Sequence, residues 1–251
     1  MASCDSQPGK SEYKEAKQTL SKNATQGVVQ FERLLKVYPR SEYSMKAALE
    51  MMDFCSKSKA CQESEILFLQ YILDNNKDSD VQLLVLERIS EVYFERGYYQ
   101  QAIGTINQLL TKSKGDSYLD ERLQLAKSYF YLRSFYQAEV ELKAYIEKST
   151  TETRKVDGLM LKAEILGAQK KYTEAVATYK EIKTEHNEIY LKNQVFINEA
   201  LMFEEQKQID LAIGTLEDVK EKVLSADFLQ LKIQKLKERK ALMPGASGLK
   251  K

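Results

Sequence analysis

Apolar residues recur along this chain at three- and four-residue steps, in long blocks separated by short polar breaks. That step is the period of a helix with one apolar face. The blocks predict first helices near 11–22, 41–57, 80–96, 116–133, 152–170 and 189–207, and second helices near 26–38, 61–75, 99–113, 135–149, 172–186 and 209–224. A thirteenth helix near 226–241 would cover the last apolar face.

The blocks repeat. Gln101-Ala102-Ile103-Gly104-Thr105-Ile106 matches Leu211-Ala212-Ile213-Gly214-Thr215-Leu216, with Gln137–Leu142 and Glu174–Tyr179 as intermediate versions. The small anchors Ala102, Ala138, Ala175 and Ala212 lie 36, 37 and 37 residues apart, and extrapolation backwards reaches Ser64 and Gly27. A large apolar residue follows each anchor four positions later. Upstream, Ser90, Ala126, Ala163 and Ala200 form a second small series. Small residues on both helices of a pair let the two axes approach, and the large neighbours fill the remaining space. A repeat of this length is one helical hairpin, which buries its apolar face only by stacking on the next. The Arg96-Gly97-Tyr98 corner uses glycine where a helix ends.

Composition agrees with helices. Prolines occur only at Pro8, Pro39 and Pro244, so nothing between the last two interrupts a helix. Lys and Arg number 38 against 37 Asp and Glu, a balance that argues against nucleic acid as the partner, since phosphate neutralisation needs a basic excess. A late basic cluster, Lys232, Lys235, Lys237, Arg239 and Lys240, reads either as a solvated helix face or as a contact for an anionic membrane or acidic partner. No apolar run is long enough to cross a bilayer as a helix. Domain organisation is expected as a tether over 1–10, a single repeat domain over 11–242 and a tail over 243–251.

Catalytic chemistry finds little support. The single histidine, His186, ends a predicted helix and has no second histidine or nearby cysteine to work with. Neither metal-ligand spacing nor a glycine-rich phosphate loop occurs, so no metal, no cofactor and no enzyme activity is expected. Of three cysteines, Cys55 and Cys61 flank a predicted helical corner. They would either bridge in an exported protein or remain separate thiols.

The third repeat, with Ile89-Ser90, Tyr93, Gly97, Tyr99 and Ala102, resembles the tetratricopeptide repeat (TPR). It departs in having no Trp and a period above the usual length. The resemblance implies an all-α, right-handed superhelical solenoid of about six TPR-like hairpins plus a C-terminal capping helix. It further implies a protein or peptide partner held against the first helices. Counted on the third and fourth repeats, the partner-binding positions are Glu87, Glu91, Phe94, Glu95, Lys127, Phe130 and Tyr131. The aromatic members would either anchor a partner or fill gaps between hairpins.

Two further stretches narrow the resemblance. Tyr38-Pro39-Arg40-Ser41-Glu42-Tyr43, followed by Ala47-Ala48, is similar to a junction of periplasmic TPR proteins of Gram-negative bacteria, the BamD-type lipoproteins and the Tol–Pal-associated protein, whose general plan pilotin lipoproteins share. Ala2-Ser3-Cys4 resembles the end of a bacterial lipobox, which implies lipidation at Cys4. The expected function is a non-catalytic envelope lipoprotein scaffold, periplasmic and tethered to the outer membrane through Cys4, assisting assembly of a membrane-associated complex. The alternative is a cytoplasmic TPR adaptor or co-chaperone that binds peptide segments.

Overall fold

A computed structural model describes residues 7–61, 64–224 and 226–242. Among them every regular element is helical. The helices are α1 (Lys10–Lys22), α2 (Ala24–Val37), α3 (Glu42–Cys55), α4 (Glu65–Asn75), α5 (Ser79–Glu95), α6 (Tyr99–Leu110), α7 (Gly115–Tyr131), α8 (Phe135–Lys148), α9 (Glu152–Ala168), α10 (Tyr172–Glu185), α11 (Asn187–Lys192), α12 (Val195–Glu205), α13 (Ile209–Glu217) and α14 (Ala226–Ala241), with short 3-10 turns at Lys59–Cys61 and Lys220–Lys222. The chain divides into two compact units, Met1–Glu121 and Arg122–Lys251.

In the first unit α1–α2, α3–α4 and α5–α6 pair as hairpins that stack through α2–α3 and α4–α5; in the second α9–α10 and α12–α13 pair, with α8 packed on α9, α10 on α12 and α13 on α14. The two small-residue series lie at these contacts: Ala102, Ala126, Ala138, Ala163, Ala175, Ala200 and Ala212 are 0% exposed. The large residues four positions after the second-helix anchors, Phe31, Phe68, Ile106, Leu142, Tyr179 and Leu216, are buried with them. Close approach is tightest in the first hairpin. A Cβ on Gly27 would fall 2.3 Å from the Leu20 Cα, inside any allowed contact.

The hairpin corners share one geometry. Gly97, Arg133, Lys170 and Lys207 all adopt left-handed backbone, with φ of 75, 58, 64 and 60°. At each corner two amides turn back onto the preceding helix. The amides of Tyr98, Ser134, Lys171 and Gln208 donate to the carbonyls of Tyr93, Tyr129, Leu166 and Phe203, at 2.8–2.9 Å. These are the paired bonds of a Schellman motif, which satisfies carbonyls left open at a helix end. Glycine was expected at one corner; the other three hold Arg or Lys in a conformation that costs a Cβ-bearing residue about 1 kcal/mol.

First helices start differently. The side chains of Ser41, Asp78 and Thr151 accept hydrogen bonds from backbone amides of α3, α5 and α9. Around Ser41 the Tyr38–Tyr43 junction becomes a polar lock: Ser44 Oγ donates to the Tyr38 carbonyl (2.7 Å), Tyr71 Oη to the Pro39 carbonyl (2.8 Å) and Tyr38 Oη to Glu12 (2.7 Å). Gln7 and Pro8 are tied to the same place, through Tyr43 Oη and Ser41 Oγ respectively. Thus residues 7–9 of the expected tether contact the first repeats and Lys10 opens α1; residues 1–6 and the tail 243–251 lie outside the described residues.

Two expected helices differ from their predicted spans. The second helix placed at 61–75 begins at Glu65, with Ser64 as its N-cap; ahead of it Cys55 and Cys61 are joined as a disulfide with Cα atoms 5.2 Å apart. The first helix placed at 189–207 is two helices. Gln194 (φ 54°) separates α11 from α12, and α11 turns Tyr190 into the core, where Tyr190 Oη donates to buried Glu199 at 2.6 Å. Helix α13 also stops at Glu217, short of the expected 224.

The thirteenth predicted helix is α14. Leu229, Ile233 and Leu236 form its buried face. Four of the five basic residues of the late cluster pair with acids of α12 and α13: Lys232 and Arg239 with Glu204, Lys237 with Glu217, and Lys240 with Asp210.

Candidate functional site

First helices set their polar residues one position after the close-packed small residue. Glu91 follows Ser90, Lys127 follows Ala126 and Glu164 follows Ala163, and none of these three is buried. This register is the natural place for a partner to be read, because the hairpin interior has already used the neighbouring position.

In the first unit, α5 carries Glu87, Glu91, Phe94 and Glu95. Glu87 is half-buried, and burial followed by the nearby Glu91 charge raises its carboxyl above the ordinary glutamate range. Glu91 is exposed and held at 3.0 Å by Arg88, whose Nε also bonds buried Glu65 at 2.8 Å. Exposed Glu95 adds to the acidic surroundings of Arg88. Phe94 is half-buried and meets Tyr99, the first residue of α6, edge-on at 5.5 Å, so its ring braces the hairpin corner.

Glu121, on α7, adds a buried acid within the field of Glu87. It is 5% exposed, accepts from Ser113 through Oε2, and leaves Oε1 buried with no hydrogen-bond partner. Burial raises its carboxyl; Ser113 opposes that, and Glu87 and Asp120 add to it. A buried carboxyl facing a second acid, with one oxygen unused, is primed to accept a donor or a positive charge.

In the second unit, α7 contributes Lys127, Phe130 and Tyr131. Half-buried Lys127 sits in the field of two carboxyls on α9, Asp157 and Glu164. Burial raises both, and Lys127 pulls both back, with Arg154 assisting at Asp157. Glu164 is exposed and yet shifted by its surroundings, as expected of a crowded but open surface. Phe130 packs against Phe135, the first residue of α8, at 6.3 Å, repeating the Phe94–Tyr99 arrangement, and against Tyr131 at 5.3 Å. Tyr131 is 53% exposed.

The sequence reading missed Glu121, Asp157 and Glu164. Glu164 shares the register of Glu91 and Lys127 and was findable by extending the count to the fifth repeat. Glu121 and Asp157 have no periodic marker; only their depth distinguishes them from other surface acids. The rings, by contrast, go mainly to the corners.

A furrow of 530 Å³ in the second unit runs between α8 and α10, floored by Leu159, Ile165 and Leu166 of α9 and rimmed by both lysines and glutamates. His186, at the end of α10, lies 3.9 Å from Glu152; the described cysteines, Cys55 and Cys61, are joined to each other. Among the described residues no group of three His, Cys, Asp or Glu side chains is arranged to hold a metal, and no helix is long and apolar enough to cross a membrane. Cys4 lies outside the described residues.

No family model and no curated protein matches the sequence. Among solved structures, a tetratricopeptide repeat protein from Parabacteroides merdae is similar over 94% of this chain and 90% of its own, with a TM-score of 0.61 at 15% identity. A Podosopora anserina chain of nearly identical TPR-like repeats (TM-score 0.48, 16% identity, 74% of this chain and 97% of that one) and BtubC from P. vanneervenii (0.45, 13%, 94% and 91%) superpose less well. Stacked hairpins, a small-residue register shared between both helices of each pair, and the Parabacteroides merdae likeness together give this chain the tetratricopeptide-repeat fold.

Proposed function

We propose that this chain is a non-catalytic protein–protein interaction scaffold whose first-helix surface takes a basic segment of a partner protein. The observation that carries the reading is Glu121: a buried carboxyl with an unpartnered oxygen, within the field of half-buried Glu87 on α5. A Lys or Arg side chain entering there supplies the missing donor and relieves the acid–acid repulsion. In the second unit Asp157 and Glu164 offer carboxylates in a similarly crowded setting, partly neutralised by Lys127. Within the first unit Glu91 and Glu95 add a negative rim; within the second, Tyr131 is an exposed ring.

Titration of the full chain with Lys/Arg-containing peptides, followed by fluorescence anisotropy, tests this. Glu87→Gln with Glu121→Gln should weaken binding at least tenfold and flatten its salt dependence. Phe94→Ala and Phe130→Ala should instead act through stability. Affinity unchanged by the paired Gln substitutions would end the proposal.

We further infer a cell-envelope setting: a periplasmic lipoprotein tethered to the outer membrane by acylated Cys4, serving assembly of a membrane-associated complex. Two features support it. Ala2-Ser3-Cys4 ends as a lipobox does, and the Cys55–Cys61 bridge suits an oxidising compartment. Expression from the native gene with an alkyne fatty-acid label should mark the protein, and Cys4→Ser should abolish the mark. A wild-type protein that takes up no label, with Cys55 and Cys61 reduced in cells, would favour the cytoplasmic adaptor.

A further inference from the structure

Glu121 sits in the first unit among groups that leave it short of positive charge. Its side chain is 5% exposed, Oε2 is taken by Ser113, and Oε1 is buried with no hydrogen-bond partner. The charges that act on it are both negative: Glu87 on α5 and Asp120 beside it on α7. Glu91 acts in the same sense on Glu87. The cations of these segments are committed elsewhere or open to water. Arg88 bonds Glu65 and Glu91, Arg122 bonds Glu141, and Lys112 and Lys114, either side of Ser113, are exposed.

A buried carboxylate with an unused oxygen and a second acid in its field is costly, and the neutral acid costs less there. Burial, the largest influence on both Glu121 and Glu87, favours that form. A proton therefore does in the empty site what a cation does in the filled one. The two compete, because a partner's ammonium or guanidinium takes the carboxylate as its acceptor.

We infer, resting on the basic-partner reading above, that Glu121 and Glu87 make capture of the partner proton-linked: the empty site keeps a proton on this pair, and an incoming Lys or Arg side chain displaces it to solvent. Only an O–H bond breaks in this step. The Glu121 carboxyl gives its proton to water, and the carboxylate so formed accepts an N–H of the incoming cation. Capture is strong where the pair ionises readily and weakens as pH falls through the raised carboxyl range. Ordinary exposed carboxylates do not act this way, since they stay mostly ionised down to about pH 5.

A terminally blocked oligolysine peptide is the probe, because it has no group that titrates between about pH 5 and about pH 7. Its binding to the full chain is followed by calorimetry across that range at constant ionic strength, in two buffers of different ionisation enthalpy. The wild type should bind roughly threefold or more weakly at the acid end, and should release protons on binding. Glu121→Gln should bind more weakly at neutral pH, with the pH dependence and the proton release both lost. Glu87→Gln removes a like charge and leaves Glu121 buried, so the change should move to lower pH, a shift that a loss of stability does not produce. Equal affinity at both ends of the range, with no proton released, would overturn the linkage and leave the basic-partner reading standing. A linkage undiminished in Glu121→Gln would overturn its assignment to this carboxyl. No binding at any pH would remove both.

Discussion

The two units use one repeat register and fasten it in different ways. In the first, the fastenings are a close backbone approach, a cluster of serine and tyrosine hydrogen bonds and a disulfide. Gly27 lets α2 lie on the backbone of α1, the Tyr38–Tyr43 lock ties three helices together, and a disulfide pins the corner after α3. In the second, polar groups inside and around the stack do the equivalent work. Tyr190 holds Glu199 in the core, and α14 is clamped by ion pairs to Glu204, Asp210 and Glu217. Equal helix geometry therefore does not mean equal response to conditions: reductant should act on the first unit, and loss of the α14 ion pairs on the second.

Substitutions read by hydrogen exchange in each unit separately would break or sharpen that contrast. Gly27→Ala should have the largest effect, about 3 kcal/mol or more, confined to the first unit, because the added Cβ meets Leu20 backbone rather than a movable side-chain tip. Gly104→Ala is its control. Nothing lies within 4 Å of that Cβ, so alanine should stabilise by about 0.5–1 kcal/mol through helix propensity. Equal effects at the two glycines would refute the close-approach account.

Opening the disulfide with paired Cys55→Ser and Cys61→Ser should cost the first unit about 2 kcal/mol, the chain-entropy value for so short a loop, and leave exchange in the second unit unchanged. Tyr190→Phe should cost the second unit roughly 1–3 kcal/mol, since it strips a hydrogen bond from a carboxyl that stays buried.

Smaller effects follow at the corners and the cap. Arg133→Gly, Lys170→Gly and Lys207→Gly should each stabilise by up to about 1 kcal/mol, the left-handed strain outweighing the added freedom of glycine in the unfolded chain. Gly97→Ala should do the reverse. High salt should loosen α14 by under about 1 kcal/mol, since its ion pairs are mostly exposed.

The pH response has the opposite sign to an ordinary salt-bridged acid. Glu87, Glu121, Asp157 and Glu164 hold their protons more tightly folded than unfolded. Their contribution is therefore favourable at acid pH and is lost as pH rises through the raised carboxyl range. Glu121→Gln should accordingly give a small rise in neutral-pH stability that fades on acidification, measured by thermal melts at a series of pH values. A fall in neutral-pH stability would mean that the carboxylate form is the one the fold prefers.

Much of this was legible in the order of residues. The apolar period placed the helices, and the small residues at 37-residue intervals placed the contacts between them, because both are set by local geometry repeated along the chain. Pro39, Ser41 and Tyr43 announced a junction, and its local bonds, Ser44 to Tyr38 and the Tyr43 amide to Ser41, follow from that run; its bonds to Glu12, Pro8, Gln7 and Tyr71 come from packing. The break at Gln194 had no such announcement. Neither Gly nor Pro marks it, and what it gains is a tertiary event, the burial of Tyr190 against Glu199. The left-handed Arg133, Lys170 and Lys207 were hidden for a related reason: the two bonds of each corner stabilise a conformation that the residue itself disfavours.

Sequence alone determined that this protein is a run of helical hairpins with a helix closing the run, since period and residue size act through neighbours on the same or the next helix. Only the tertiary structure decided which charges matter. Glu121 looks like any other acid in the chain, yet it is buried within the field of Glu87 with an oxygen unused. Depth and facing come from packing between segments far apart in sequence, and the energy of a charge depends on them more than on its neighbours along the chain.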